Sequence, residues 1–203
     1  MKIALYGAGG VIGSRIAAEA ASRGHQVTGI TRSGVAPEGV TARVGDLADR
    51  QDVAKVAAEH DVVVSATGPS RTGASHDEWL AAVQALLDSV GSTRVVFVGG
   101  AGSLLGSDGT RLLDAPDFPA EYLPEARTGA AALEAFRAAP DHLDWTFFSP
   151  APVIAPGQRT GRYTLGQESP VGEAISAEDY AVALVDELEQ PRHRRARFTA
   201  AAA

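Results

Sequence analysis

Short runs rich in valine, isoleucine and threonine alternate with longer alanine-rich stretches along the whole chain, and this alternation admits few folds. Each strand–helix–strand passage lays a helix across a parallel pair, and its repetition builds an α/β doubly wound parallel sheet covered on both faces. Six runs read as buried strands: 2–7, 26–31, 41–45, 61–67, 94–100 and 143–149. Helices are expected over 13–23, 49–59, 77–90, 125–138 and 177–189. Gly24 and Gly91 stand where the first and third would close, and Pro140 and Pro191 follow the last two. Ser176, with Asp179 three residues on, can cap the final helix. No composition break divides the 203 residues, so 1–203 reads as a single domain. The Gly/Pro/Ser-rich connections 99–120 and 150–174 are long for a compact domain. Because they follow the carboxyl ends of parallel strands, they are expected to form the substrate side of a ligand crevice.

Composition removes several function classes. The chain has no cysteine, which excludes disulfides, thiolate catalysis and cysteine-bound metal. A net charge of −7 disfavours nucleic acid as the main partner. The one basic cluster, Arg192 to Arg197, reads as a solvated strand edge whose charges block edge-to-edge pairing. No apolar run approaches the ~18–20 residues of a membrane span, and Met1 leads into an apolar strand rather than a secretory signal, so a cytoplasmic setting is expected. The five histidines are scattered without metal-ligand spacing, and no metal site is expected.

The first strand-to-helix turn, "GAGGVIG", asks for a different partner. A G-x-G-x-x-G reading fails at Ile12, whereas G-x-x-G-x-x-G is met by Gly7, Gly10 and Gly13. Gly7 and Gly10 can let backbone N–H groups approach a pyrophosphate at the helix N-terminus, and Gly13 can let the helix pack close to the sheet. At the end of the second strand, where an NAD site carries an acid for the ribose hydroxyls, the chain has Thr31, Arg32 and Ser33. Arg32 can pair with a 2′-phosphate, which favours NADP(H) over NAD(H); as a plain surface arginine it would leave the preference open. In "VGDLADR", Asp46 can accept from an adenine amino group with Leu47 against the ring, or it can serve as an ordinary acid at a helix N-terminus. "SATG", Ser65 to Gly68, supplies small residues where a cofactor would cross the sheet edge.

These residues, with "VVFVGGAGSL", "LDWTFFSPAPVIAPGQRTGRYTLG" and "ISAEDYAVALVDELEQPRHRRARFT", resemble the atypical short-chain dehydrogenase/reductase superfamily nearly end to end. More closely, the chain is similar to the small NAD(P)H-binding proteins labelled NADH-flavin reductases, relatives of biliverdin-IXβ/flavin reductase and of the NmrA-like group. The resemblance implies a Rossmann-like sheet with NADP(H) along its carboxyl edge. It carries over as cofactor contacts Gly7, Gly10, Val11, Ile12, Gly13, Arg32, Asp46, Leu47, Ala66, Thr67 and Gly68. Gly100 and Pro150, in the "GGAGS" and "SPAPV" segments, would flank the nicotinamide.

One departure bears on chemistry. Typical members of the superfamily use a Tyr-x-x-x-Lys pair to pass a proton to a carbonyl oxygen. Here Tyr122 is followed four residues later by Ala126, and the only lysines are Lys2 and Lys55. A flavin, quinone or related planar acceptor, whose reduced form is easily protonated, tolerates that loss. Flavin is then a substrate rather than a bound cofactor. Ser103 and Tyr122 are the candidate catalytic residues; alternatively Ser103 is a turn hydroxyl and Tyr122 a loop aromatic. Arg159 and Arg162 could meet an anionic acceptor or stand as exposed hairpin residues, and Trp79 and Phe148 could line its pocket or belong to the core. The expected function is an NADPH-dependent reductase of a small planar acceptor. The alternatives are a non-catalytic NADP-binding sensor of the NmrA-like kind and a metabolite-specific tailoring reductase or isomerase.

Overall fold

The computed structural model describes residues 1–70, 73 and 75–203. Its strands are β1 (Lys2–Tyr6), β2 (Gln26–Thr31), β3 (Thr41–Val44), β4 (Val62–Ser65), β5 (Arg94–Val98), β6 (Trp145–Pro150), β7 (Val153–Ala155), β8 (Tyr163–Gly166), β9 (Ala174–Ser176) and β10 (Ala196–Ala202). The helices are α1 (Val11–Ser22), α2 (Arg50–Glu59), α3 (His76–Ser89), α4 (Leu123–Arg137) and α5 (Ala177–Glu189). Eight strands form one sheet in the order β3-β2-β1-β4-β5-β6-β10-β8, parallel except for β8. β7 and β9 pair separately.

The two-residue period of β1 explains why both faces are covered. Ile3 and Leu5 belong to the core shared with Ile16 and Ala17 of α1 and Tyr180 and Leu184 of α5. Ala4 and Tyr6 belong to the opposite core, with Val53 of α2, Leu86 of α3 and Phe136 of α4. A strand apolar on both faces is stable only between two helical layers. The chain moves outward from β1 to β3 and returns to β4 on the other side of β1, so the connections after β1 and β4 diverge where an open sheet binds its ligand.

All six expected strands and five expected helices are present, displaced at their ends by at most two residues. The reading of Arg192 to Arg197 is corrected. β10 is an internal strand, parallel to β6 on one side and antiparallel to β8 on the other. Arg197 is buried within it, Arg194 pairs with Asp144, and Arg195 with Asp141. β8 pairs with residues 199–202, beyond the cluster, so what overturns a solvated row of charges is the burial of Arg197 and the ion pairs of Arg194 and Arg195. Entry into β10 is fastened from below by buried Glu187, which accepts from Arg94 Nη2 at 2.7 Å and from the backbone N–H groups of Arg192 and His193 at 3.0 Å.

Part of the second long connection is similarly pinned. Asp179 accepts from the backbone N–H groups of Thr160 and Gly161, each at 2.8 Å, and from the Thr160 hydroxyl at 2.7 Å. Burial alone would raise this carboxyl, but the donors around it hold it below the usual carboxylate range. Arg159 makes a two-pronged pair with buried Glu19 of α1, so it is neither free for an anionic acceptor nor idle on the surface.

Candidate functional site

The turn after β1 is built around backbone contacts that exclude side chains. Gly7 has φ +80°, and a Cβ there would stand 2.6 Å from the Ala66 carbonyl oxygen. A Cβ on Gly13 would stand 2.1 Å from the Gly7 carbonyl oxygen, so the first turn of α1 lies directly against the end of β1. Gly10 is the N-cap of α1, offers no side-chain cap, and no acidic residue follows in the first turn. Its N–H donates to Gly7 and that of Ser14 donates to Gly10, while those of Val11 and Ile12 have no backbone acceptor among the described residues. A 12-residue helix whose first N–H groups lack backbone acceptors among the described residues, and whose first turn carries no acidic residue, is suited to bind an anion. Replacing Gly13 by alanine is expected to destabilise the fold by about 1–3 kcal/mol through overpacking and to weaken dinucleotide binding. Thermal melts with and without NADP+ check this, and an unchanged melting temperature would refute the packing role.

Arg32 follows β2, is exposed, and makes no hydrogen bond or ion pair with any described residue. Thr31 beside it donates to the Val35 carbonyl at 2.9 Å, which folds the next residues back toward Gly9. Val35 and Val44 are each 68% exposed, and Val44 borders Gly34. Asp46 accepts from the Ala48 N–H at 3.0 Å and remains exposed. These residues give the end of the crevice an unpaired cation, a carboxylate and two apolar side chains. Leu47 departs from expectation: its side chain lies in the core among Ile30, Val53 and Tyr6, so it cannot pack on a ring. Val35 and Val44, missed in the sequence, are the apolar groups available there; an exposed valine beside a glycine turn was the only signal.

At the end of β4, Ala66 and Thr67 are half-buried and Gly68 is open. Thr67 Oγ1 lies 3.0 Å from Ser65 Oγ and accepts from Trp79 Nε1 at 3.2 Å. Trp79 therefore borders this passage while its ring meets Phe97. His76 connects the loop after β4 to α4, with Nδ1 2.8 Å from Thr128 Oγ1 and Nε2 2.9 Å from the Ser70 carbonyl. Nothing in the sequence signals this link, since Thr128 is 52 residues away.

After β5, Gly100 is open and no described atom would crowd a Cβ there. Pro150 is buried, with its carbonyl accepting from Thr199, so the exposed part of "SPAPV" is Pro152 and Val153. Phe148 is core, stacked between Tyr180 and Phe198 with both centroids at 4.0 Å. Ser103 is only 7% exposed and accepts from Arg197 Nη1 at 3.0 Å. Tyr122 precedes α4, is 58% exposed, and its side chain makes no hydrogen bond with any described residue. The structure does not join Ser103 and Tyr122 by a hydrogen bond.

The family model described as NAD(P)H-binding matches residues 7–191. A solved structure from Burkholderia pseudomallei, provisionally called an exported protein, is 46% identical, with 99% of each chain covered and a TM-score of 0.89. One from Bacteroides thetaiotaomicron, provisionally called an epimerase, is 37% identical, covering 99% of this chain and 96% of that one at a TM-score of 0.88. One from Streptococcus pneumoniae, provisionally called an NADH-flavin reductase, is 34% identical over the full length of both chains, with a TM-score of 0.85. The glycine turn, the uncapped helix and the switch point between β1 and β4 occupy the matched region, and the chain belongs to the NAD(P)H-binding family, as an atypical short-chain dehydrogenase/reductase.

Proposed function

We propose that this chain is an NADPH-dependent oxidoreductase that passes hydride to a flavin, a quinone or a related planar acceptor. The observation that carries the cofactor preference is Arg32, an unpaired cation where an NAD site places an acid. Gly7, Gly10, Val11, Ile12 and Gly13 would hold the pyrophosphate, Arg32 the 2′-phosphate, Asp46 the adenine edge, and Ala66, Thr67 and Gly68 the central backbone. Gly100 and the exposed end of "SPAPV" would border the nicotinamide.

When bound, the nicotinamide supplies hydride; the protein's share is to hold the acceptor against it and to stabilise charge as it arrives. The absence of a tyrosine–lysine proton donor supports an acceptor whose reduced form takes its proton from water. Ser103 is proposed as a hydrogen-bonding group to that acceptor, with Tyr122 at the rim. The Streptococcus relative's provisional name supports the same reading. A cytoplasmic setting, where NADPH is regenerated, is part of the proposal.

The test follows absorbance of NADPH or NADH with purified protein while FMN, riboflavin or a simple quinone is added, against a protein-free control. Protein-dependent consumption of NADPH well ahead of NADH is expected. NADPH binding without turnover of any acceptor would overturn the reductase reading in favour of a non-catalytic sensor.

A further inference from the structure

Arg197 is the one residue of the basic cluster whose side chain is almost wholly enclosed, at 1% exposure. Its Nη1 donates to Ser103 Oγ at 3.0 Å, in the loop after β5. Its Nη2 donates to the Glu168 carbonyl at 3.3 Å and to the Glu168 carboxylate, in the chain after β8. The same Glu168 carbonyl accepts from the Leu105 N–H at 2.9 Å. One guanidinium thus ties the loop after β5 to the chain after β8.

The direction of these hydrogen bonds has a chemical consequence. A guanidinium can only donate, so Ser103 Oγ is the acceptor in that pair and its own proton must go elsewhere. No described residue accepts it. Two further buried polar atoms, Arg197 Nε and Ser149 Oγ, also lack partners among the described residues. They share one face of the sheet, since Arg197 stands opposite Phe147 and Ser149 lies two residues beyond Phe147 on β6. A hydroxyl that accepts from a guanidinium, with its own proton left without an acceptor among the described residues, can donate to an electronegative atom of a bound molecule.

We propose that Arg197 is the positioning residue of the acceptor site, holding the Ser103 hydroxyl so that its proton can be donated to an electronegative ring atom of the planar acceptor. This rests on the reductase reading above. Negative charge grows on the acceptor's heteroatoms as hydride arrives, and a hydroxyl already polarised by a guanidinium strengthens its hydrogen bond at that moment. The benefit falls on turnover rather than on ground-state binding. Glu168 keeps the buried cation balanced: burial alone would raise its carboxyl, but Arg197 and Arg137 hold it below the usual range.

The experiment measures kcat and KM for the best acceptor, together with the NADPH Kd, in wild type, S103A, S103T, E168Q and R197K. S103A is expected to lower kcat by about 10²-fold, the scale of one lost transition-state donor, with KM and the NADPH Kd little changed. S103T retains the hydroxyl and should restore most of the rate. R197K and E168Q should lower kcat in the wild-type background but not further in the S103A background, a non-additivity that general loosening of the fold would not produce. Glu168 is partly exposed, so E168Q perturbs Arg197 without removing the buried cation and decides the matter where R197K fails to fold. Turnover indifferent to S103A, or additive losses in the double variants, would overturn this proposal alone. A wild type that binds NADPH and reduces nothing would overturn the parent reading and this one with it.

Discussion

Replacing Glu187 by alanine is expected to cost about 3–5 kcal/mol of stability, because it strips the partner from a buried cation. Glu187 is 3% exposed at its side chain and Arg94 is 9% exposed. The carboxylate receives Arg94 Nη2 at 2.7 Å, His193 Nδ1 at 2.8 Å and two backbone N–H groups. Alanine would leave all four donors without it, and Arg94 would keep only the Thr146 hydroxyl and the Glu187 backbone carbonyl. A domain of this size has about 5–15 kcal/mol in hand, so the variant would lose a large share of it. Urea unfolding reads the effect as a lower midpoint at similar slope. Removing the cation as well, in Arg94→Met with Glu187→Leu, should recover the share of the loss due to the unpaired guanidinium, while the N–H groups of Arg192 and His193 stay without the carboxylate. A shift below about 1 kcal/mol in the single variant would mean that water reaches Arg94 and the pair is not a buried one.

The second large effect is on cofactor choice. Changing Arg32 to alanine should weaken NADPH binding by roughly 10- to 100-fold, the worth of one or two charge-assisted hydrogen bonds to a phosphate. NADH, which lacks the 2′-phosphate, should bind within about twofold of its wild-type affinity on the same principle. The fold should be unaffected, because Arg32 is exposed and bonds to no described residue. Titration of cofactor fluorescence for both nucleotides checks the pair of values. Equal weakening of both would move Arg32 from the 2′-phosphate to a group that the two nucleotides share.

The features legible in the sequence are those set by a residue's near neighbours. The glycine turn is one: Gly7, Gly10 and Gly13 are spaced by the geometry of a single strand–helix corner, and the contacts a Cβ would make there are with that corner and its adjoining strand. The place of Arg32 just after β2 was legible because the end of β2 is a fixed address in such a sheet. β10 was not, since "ARFTAAA" has weak intrinsic preference for a strand and owes its conformation to β6 and β8 on either side. The burial of Arg197 was hidden for the same reason, because Ser103 lies 94 residues away in sequence. Leu47, expected against a ring beside Asp46, is buried while Asp46 is exposed, because consecutive residues in that turn point to opposite environments. Arg159 was open between two readings, and its partner Glu19 is 140 residues distant.

The pairing of β10 with β6 also has a kinetic consequence. Residues 196–200 meet residues 146–150, and between them the chain must place β7, β8, β9 and α5. Closing so long a segment carries an entropic cost before any strand contact offsets it, so this pairing should form late in folding. Until then β6 presents an unfilled row of backbone groups on a strand carrying Trp145, Phe147 and Phe148. Such an edge accepts another molecule's strand as readily as its own, and refolding should therefore yield less native protein as its concentration rises.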